Sequence, residues 1–372
     1  MNIIKNFLMK KFKINEKLIK HIDFSIIIVV CSIVFFSIVN IYSAIGFYYA
    51  RLQFFWLIIG LVATYFILTI DYIQILNYAP IFYWGTVGLL LVNDIFSKSV
   101  NGANAWIKLG QRAIQPGEFA KIGMILMIAR VIQDLDGNIN TVKNLAKVLM
   151  YAAIPMILIV IQPDMGLTMV SFFIVLGIVI VANLNWKIIV GGLSTVFIVI
   201  VGFWNSPMMP SYWKKRLVSF LDPESYELNY GLQVIQSKVA IGSGGLFGLG
   251  FGNGKQYKFV PENHTDFIFS VIGEEWGLFG AAFLLALYGI LLYKLISIAK
   301  TSKDLSGSVI SVGVTAALMF SLIQNMGMTI GIMPITGITL PFVSYGGSSM
   351  LTNFISLALV LNVGMRRNKI NF

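Results

Sequence analysis

The sequence predicts an all-α polytopic membrane protein with about ten transmembrane helices. Of its 372 residues, 57% are hydrophobic and only 12% are charged, which is typical of neither a soluble nor a disordered chain. The apolar residues also fall into repeated runs close to the ~20 residues that a helix needs to cross a bilayer. Aromatic residues make up 13% of the chain, and they suit contact with lipid and with the membrane interface.

The ten predicted spans follow one another from the N-terminal third to the C-terminal end of the chain. They are residues 24–44, 53–70, 75–95, 117–133, 146–162, 165–184, 187–204, 267–293, 307–331 and 341–363. An even number of spans puts both termini on the same side of the membrane.

The positive charges indicate which side is cytoplasmic. The formal net charge is +11, and 16 of the 27 Lys and Arg residues lie on the side of the termini. The short loops opposite hold only Arg51, Lys98, Lys108 and Arg112. Cytoplasmic loops carry the excess of Lys and Arg, so both termini are predicted to be cytoplasmic. The basic excess orients the protein and contacts anionic lipid, and we expect no nucleic-acid binding.

We expect residues 1–372 to form a single membrane domain, with a cytoplasmic tail at 1–23 and one large extracellular loop at about 205–265. A loop of this length inside a compact bundle is usually functional. Cys31 is the only cysteine, so no disulfide framework is predicted. The first apolar run is long and lacks a clear A-x-A site, which favours an uncleaved span over a signal peptide.

The long loop contains seven glycines in the thirteen residues 242–254. The run does not match a P-loop or a G-x-G-x-x-G motif. Two interpretations remain open from the sequence. The glycines allow close packing of backbone between neighbouring segments, or their N–H groups bind a pyrophosphate directly. The first is favoured.

Asp266 is the strongest catalytic candidate because it stands where the long loop re-enters the membrane. An ionised side chain well inside a bilayer costs roughly 2.5–3.5 kcal/mol, so a carboxylate here needs a reason. A low-dielectric boundary raises the pKa of a carboxyl group towards the range of a general base. The alternative is an ordinary aspartate at the end of a span, or a cap for the following helix. His264, two residues earlier, is either a hydrogen-bonding neighbour or a catalyst.

Three further charged residues lie at the ends of predicted spans. Glu118 and Lys121 are i,i+3 neighbours on one helical face after Pro116, so they form a salt bridge, line a polar cavity, or do both. Asp164, in Gln-Pro-Asp-Met-Gly, is either a solvated turn residue or a side chain that points into the same cavity.

Trp106 and the segment 333–349 complete the candidate features. A single Trp at a membrane edge is most often an interfacial anchor, although a Trp flanked by cations can also stack on a sugar ring. The segment 333–349 is dense in Pro and Gly, and such backbone is tolerated at membrane depth only where it is buried in protein or lines a cavity.

Six segments, in this order, resemble motifs of the SEDS family (shape, elongation, division and sporulation) of bacterial cell-wall polymerases. They are residues 102–107, 115–121, 162–166, 230–245, 261–269 and 340–349. The resemblance covers essentially all ten spans. Within the family, the short tails and residues 260–277 are more similar to RodA, the elongation branch, than to FtsW. Gly117 departs from the family pattern, which usually has Ser there.

The resemblance implies a peptidoglycan glycosyltransferase that polymerises lipid II on the outer face of the bacterial cytoplasmic membrane, during cell elongation and shape maintenance. The donor would be a growing glycan on undecaprenyl pyrophosphate. By the motif match Asp266 would be the general base. Trp106 would line the substrate path and Glu118, Lys121 and Asp164 the cavity, with Arg51 near the pyrophosphate. A divalent cation, Mg²⁺ or Mn²⁺, could neutralise the leaving group, although the sequence shows no dedicated metal cage.

The resemblance also implies a partner, a class B penicillin-binding protein that crosslinks the new strand and contacts the long outer loop and the later spans. Three alternatives remain: an FtsW-like division polymerase, a lipid II flippase or other transporter, and a non-catalytic scaffold. Transporters often contain internal repeats, and we find no convincing repeat here. A scaffold would not need Asp266, Glu118 and Lys121 in apolar surroundings.

Overall fold

The computed structural model describes residues 16–96, 105–109, 112–204, 206, 211–222 and 230–367. Most of the predicted tail 1–23 and three stretches of the predicted loop 205–265 lie outside these residues. The described elements, in chain order, are α1 (Glu16–Ile19), α2 (Phe24–Ile45), α3 (Phe47–Thr69), α4 (Tyr72–Asn77), α5 (Ala79–Phe96), β1 (Ile107–Leu109), β2 (Arg112–Ile114), α6 (Pro116–Asp134), α7 (Val142–Ile161), α8 (Met165–Val181), α9 (Trp186–Trp204), α10 (Ser211–Leu221), α11 (Tyr230–Gly244), a 3₁₀ turn (Gln256–Phe259), α12 (Ile268–Lys300), α13 (Leu305–Thr329) and α14 (Gly347–Met365).

The all-α membrane fold is confirmed. Within the described residues, seven helices are long and apolar enough to cross a membrane: α2, α3, α7, α9, α12, α13 and α14. Helices α5 and α8 are apolar but shorter. The remaining predicted span, 117–133, corresponds to α6, which carries four charged residues along its length. The only strands in the described part are β1 and β2, which pair antiparallel with Ile107 opposite Ile114.

Helix α6 is buried around most of its circumference. Fifteen of its nineteen residues are buried, and it packs against α5, α7 and α13. A helix that is buried around most of its circumference lies in the centre of a bundle. Its first turn is therefore the place where charged side chains can face the protein interior rather than lipid.

Helix α12 is interrupted at Gly277, whose φ of 62° and ψ of −157° are not helical. The glycine-rich segment after α11 completes the hydrogen bonding at this break. Leu249 and Gly250 donate their N–H groups to the carbonyls of Glu274 and Glu275 at 2.9 and 3.0 Å. A Cβ on Gly248 would lie 2.2 Å from the carbonyl oxygen of Glu275. These contacts favour close packing as the reason for the glycines.

The segment between α13 and α14 has no regular secondary structure, and buried side chains satisfy its backbone. Gln324 donates to the carbonyl of Pro334 at 2.8 Å, and Ser37 donates to that of Val343 at 2.5 Å. This pattern fits the rule that irregular backbone at membrane depth is buried in protein. The last span was predicted to begin at residue 341, but α14 begins at Gly347, because Phe342 has a left-handed φ of 64° that ends any helix there.

Candidate active site

A cavity of about 370 Å³ lies at the end of the bundle where four helices begin. Its wall includes the first turns of α6 and α14 and the residues that directly precede α8 and α12. Five of the seven predicted site residues line it: Trp106, Glu118, Lys121, Asp164 and Asp266. The sequence motifs are far apart along the chain, and the fold brings them to one place.

Asp266 lies in the turn 261–267, directly before α12, and its side chain is half-buried in the cavity wall. Burial raises the pKa of its carboxyl group to about 6. This pKa includes smaller effects of nearby charges: Glu262 raises it, Arg216 lowers it, and Asp164 raises it. A carboxyl group with this pKa is ionised at neutral pH and is still a stronger base than an ordinary aspartate.

Glu118 and Lys121 form an ion pair in the first turns of α6. Lys121 Nζ lies 2.7 Å from Glu118 Oε2, and both side chains are more than nine-tenths buried. Thr352, on α14, donates its hydroxyl to the same carboxylate oxygen at 2.8 Å. Both predicted roles are therefore compatible, because the residues form a salt bridge and also line the cavity.

Asp164 caps α8. Its Oδ1 accepts from the N–H of Leu167 at 2.9 Å, and its Oδ2 accepts from Gln115 Nε2 at 2.9 Å. The second bond joins the N-terminus of α8 to that of α6. Asp164 also lines the cavity, so it is both a turn residue and part of the wall.

Trp106 lies just before β1, half-buried, and contributes to the cavity wall beside the buried Ala105. The side chains of Lys108 and Arg112, which flank it in sequence, lie outside the described atoms. An indole at the edge of a polar cavity can cover the face of a sugar ring.

Arg51 and His264 do not contribute to the cavity wall as described. The Arg51 guanidinium lies 5.9 Å from the ring centroid of Tyr48 on the exposed side of α3. The His264 ring packs 6.2 Å from the rings of Tyr49 and Tyr345, and burial lowers the pKa of its imidazole. A role for either residue in substrate binding stays a prediction.

Two lining residues were not recognised from the sequence as site residues. Arg216 is buried in α10, donates to the carbonyl of Ile335 at 3.2 Å and faces the cavity. Glu262 has a left-handed φ of 55° and lines the same wall. The sequence gives no distinctive signal for Arg216, because its burial on the same face of α10 as Ser219 is a property of the fold and the residue lies in a basic stretch.

The cavity combines two kinds of electrostatic feature. Residues at or next to the N-termini of four helices, where the helix dipole is positive, line it, and Arg216 and Lys121, the latter paired with Glu118, add two cationic groups. Such an arrangement binds anionic groups such as phosphates. The acidic side chains in the wall provide a base. Among the described residues, no group of three or more His, Cys, Asp or Glu side chains is placed to hold a metal ion.

Comparison with known proteins gives relatives over nearly the whole chain. The peptidoglycan glycosyltransferase MrdB of Escherichia coli K12 is 34% identical over 362 residues, covering 94% of this chain and 95% of that protein. Stage V sporulation protein E of Bacillus subtilis is 33% identical, covering 92% and 96%. The peptidoglycan glycosyltransferase RodA of Treponema pallidum is 32% identical, covering 85% and 89%.

Two solved structures are also similar. One, from work on the structural coordination of polymerization and crosslinking by a peptidoglycan synthase complex, has a TM-score of 0.82 at 31% identity, covering 94% of this chain and 99% of that one. The other, RodA of Thermus thermophilus, has a TM-score of 0.72 at 30% identity, covering 94% and 98%. A family model for FtsW, RodA and SpoVE, described as "Cell cycle protein", matches residues 16–369. The chain therefore belongs to the FtsW/RodA/SpoVE family, as the resemblance of its motifs predicted.

Proposed function

We propose that this chain is a peptidoglycan glycosyltransferase that polymerises lipid II, with Asp266 as the general base. The observation that carries the proposal is the environment of Asp266. Its carboxylate, with a pKa of about 6, lies in one cavity with the buried cations Lys121 and Arg216. A base and an anion-binding surface in the same cavity are what attack by a hydroxyl on a sugar pyrophosphate requires.

The enzyme class is confirmed by the relatives, since MrdB and RodA are named peptidoglycan glycosyltransferases. The chain is a glycosyltransferase of this family. The relatives include both RodA and FtsW proteins. We propose that this chain belongs to the RodA branch, which acts in elongation and cell shape. A division polymerase remains the alternative within the family.

The proposed reaction joins two lipid-linked sugars. Asp266 takes the proton of the 4-hydroxyl on the N-acetylglucosamine of lipid II as its oxygen attacks the anomeric carbon of the donor's N-acetylmuramic acid. The bond from that carbon to the pyrophosphate breaks, with inversion. Undecaprenyl pyrophosphate leaves as an anion, so it needs positive charge rather than a proton, and Lys121, Arg216 and the helix N-termini supply it.

A divalent cation, Mg²⁺ or Mn²⁺, would add positive charge to the departing pyrophosphate. The described side chains do not form a cage that would hold it without substrate. We therefore propose that any such ion arrives with the pyrophosphate, and the steps above use only residues of the chain.

The proposed setting follows from the charges and the relatives. The chain is a membrane protein, and its basic side is proposed to face the cytoplasm, which puts Asp266 on the outer face of the cytoplasmic membrane. One similar structure belongs to a complex that couples polymerization to crosslinking. This supports a class B penicillin-binding protein as the partner of this chain.

The experiment that tests the function uses purified protein in liposomes that contain lipid II, with and without the transpeptidase partner. We expect long glycan strands from the wild type and none from a folded Asp266→Ala variant. Lipid II movement across the bilayer is measured in the same vesicles. If both proteins moved lipid II and neither made glycan even with the partner present, the transporter would replace the polymerase.

A further inference from the structure

Asn325, on α13, joins the segment that carries Asp266 to the segment opposite it. Its side chain is fully buried, and Nδ2 donates to the carbonyl of Asp266 at 2.8 Å and to that of Ile338 at 2.7 Å. One amide group therefore bridges two non-helical segments that both line the cavity. A rigid helix supplies the donor.

The two residues before Asp266 are also held through their carbonyls. His264 O accepts from the N–H of Tyr345 at 2.9 Å, and Thr265 O accepts from Ser344 Oγ at 2.6 Å. Three successive carbonyls are thus bound, and the last, that of Asp266, is bound by Asn325. Because these three hydrogen bonds hold the backbone, the main movement left to the Asp266 carboxylate is rotation of its own side chain.

The second bond of Asn325 fixes the wall that the carboxylate faces. Ile338 follows Gly337, whose φ of +75° favours glycine. A Cβ on Gly337 would lie 3.5 Å from Asp266 Oδ2. The bridge therefore sets the spacing between the carboxylate and the opposite wall of the cavity.

We propose that Asn325 is a positioning residue that fixes the position of the Asp266 carboxylate relative to the 335–339 segment. This inference rests on the proposed function. Asn325 is not among the residues that line the cavity, and its contact with the site is the hydrogen bond to the backbone of Asp266. Small displacements of a catalytic group matter, because a misplacement of about 1 Å can reduce a rate by about 10²-fold.

The chain offers a matched control in Asn362, on α14. Its side chain is also fully buried, and Nδ2 donates to the carbonyls of Ile67 and Ile70 at 2.6 and 2.7 Å. Its Oδ1 also accepts from the N–H of Tyr72 at 3.1 Å. Asn362→Leu therefore removes at least as many buried hydrogen bonds as Asn325→Leu, at a place outside the cavity wall.

The test measures polymerisation of lipid II by the wild type, Asn325→Leu and Asn362→Leu in liposomes with the transpeptidase partner, over pH 5–8. For Asn325→Leu we expect kcat to fall by about 10²-fold, with KM changed by no more than about threefold. Burial is the largest cause of the raised pKa of Asp266, ahead of the charges of Glu262, Arg216 and Asp164. A looser segment should expose Asp266 to water and lower its pKa. The acid limb of the pH profile, where the rate rises as Asp266 ionises, should therefore move to lower pH. For the folded fraction of Asn362→Leu, we expect the same acid limb of the pH profile and the same kcat as for the wild type.

A second readout does not depend on activity. Amide hydrogen exchange should become faster in residues 262–267 and 336–340 of Asn325→Leu, and should be unchanged there in Asn362→Leu. If Asn325→Leu does not fold, Asn325→Ser, which keeps a shorter donor, takes its place. Equal losses of kcat in the two variants, or an unmoved acid limb and unchanged exchange in Asn325→Leu, would overturn the proposal. Absence of polymerisation by the wild type would instead count against the proposed function, and exchange alone would then decide whether the bridge orders the segment.

Discussion

Lys121 Nζ lies 2.7 Å from Glu118 Oε2 at the start of α6, a helix in which 15 of 19 residues are buried. Thr352 binds the same carboxylate from α14. Removal of one partner from a buried ion pair leaves an uncompensated charge, whereas replacement of both is often tolerated. This asymmetry allows the structural and the functional roles of the pair to be measured separately.

Lys121→Met should lower the free energy of unfolding by about 3–5 kcal/mol, because Glu118 is then buried without its cation. The double variant Glu118→Gln/Lys121→Met should regain most of that stability. It should not regain polymerisation, because the positive charge that faces the pyrophosphate is still absent. Thermal unfolding in detergent and glycan synthesis are the two measurements. Recovery of activity together with stability would show that the pair is only structural.

Replacement of Trp106 should affect substrate binding more than folding, because the indole is half-buried at the cavity edge. We expect Trp106→Ala to lower kcat/KM at least about tenfold, since a lost aromatic contact is worth about 0.5–1.5 kcal/mol beyond its buried area. Trp106→Phe should retain most of the activity. Steady-state kinetics check this, and equal activity of Trp106→Ala and wild type would remove Trp106 from the site.

The rate of polymerisation should depend on pH through Asp266. As a general base Asp266 must be ionised, and burial raises its pKa to about 6, so kcat/KM should rise with pH up to about 6 and then level off. Glu262→Gln removes a negative charge that raises this pKa, so its acid limb should lie at lower pH. A wild-type profile that is flat between pH 5 and 7 would contradict this assignment.

Ionisation of Asp266 should raise the rate of polymerisation but lower the stability of the fold. A carboxyl group whose folded pKa is above its unfolded value stabilises the fold below pH 4, and this contribution is lost as the pH rises through about 6. Asp266→Asn should therefore be more heat-stable than the wild type at pH 8, and similar to it near pH 4. Unfolding midpoints in detergent at the two pH values measure this. If the difference in unfolding midpoint between Asp266→Asn and the wild type were the same at both pH values, the pKa of the Asp266 carboxyl group would not be raised by burial.

The glycine-rich segment gives a fifth prediction. Gly248→Ala should destabilise the fold by more than about 1 kcal/mol, because the residue has a φ of +79° and its new Cβ would lie 2.2 Å from the carbonyl oxygen of Glu275. Gly242→Ala is the control, since it lies in α11 with nothing within 4 Å of the added atom. Equal stability of the two variants would leave direct pyrophosphate binding as the reason for the glycines.

Apolar runs were enough to predict all ten long helices and most of their bounds. The starts of the predicted spans 53–70, 75–95 and 146–162 differ by four to six residues from those of α3, α5 and α7. Two further bounds differ for physical reasons. Helix α12 is longer than the predicted span 267–293, because it continues to Lys300, and hydropathy did not reveal its break at Gly277. The last predicted span included residues 341–346, because apolar residues there resemble a helix, although side-chain hydrogen bonds hold the segment in an irregular path.

The site was predicted in part. Glu118, Lys121, Asp164 and Asp266 stood out because charges are rare in apolar sequence, and the fold brings them to one cavity. Arg216 did not stand out, since it lies in a basic stretch of the long loop. Asn325 lies within a predicted span, where an amide has no distinctive pattern. Its two bonds depend on segments that are distant in sequence.

The most direct test of the account is the rate of lipid II polymerisation by Asp266→Asn beside the wild type, at pH 7.5 and with the transpeptidase partner. The asparagine side chain has the same size and leaves the hydrogen bonds to the backbone of residue 266 in place, but its amide cannot act as a general base. We predict a loss of about 10²–10⁴-fold in kcat, with the unfolding midpoint at least as high as that of the wild type. A folded Asp266→Asn protein that polymerises within tenfold of the wild-type rate would contradict the assignment of Asp266 as the general base.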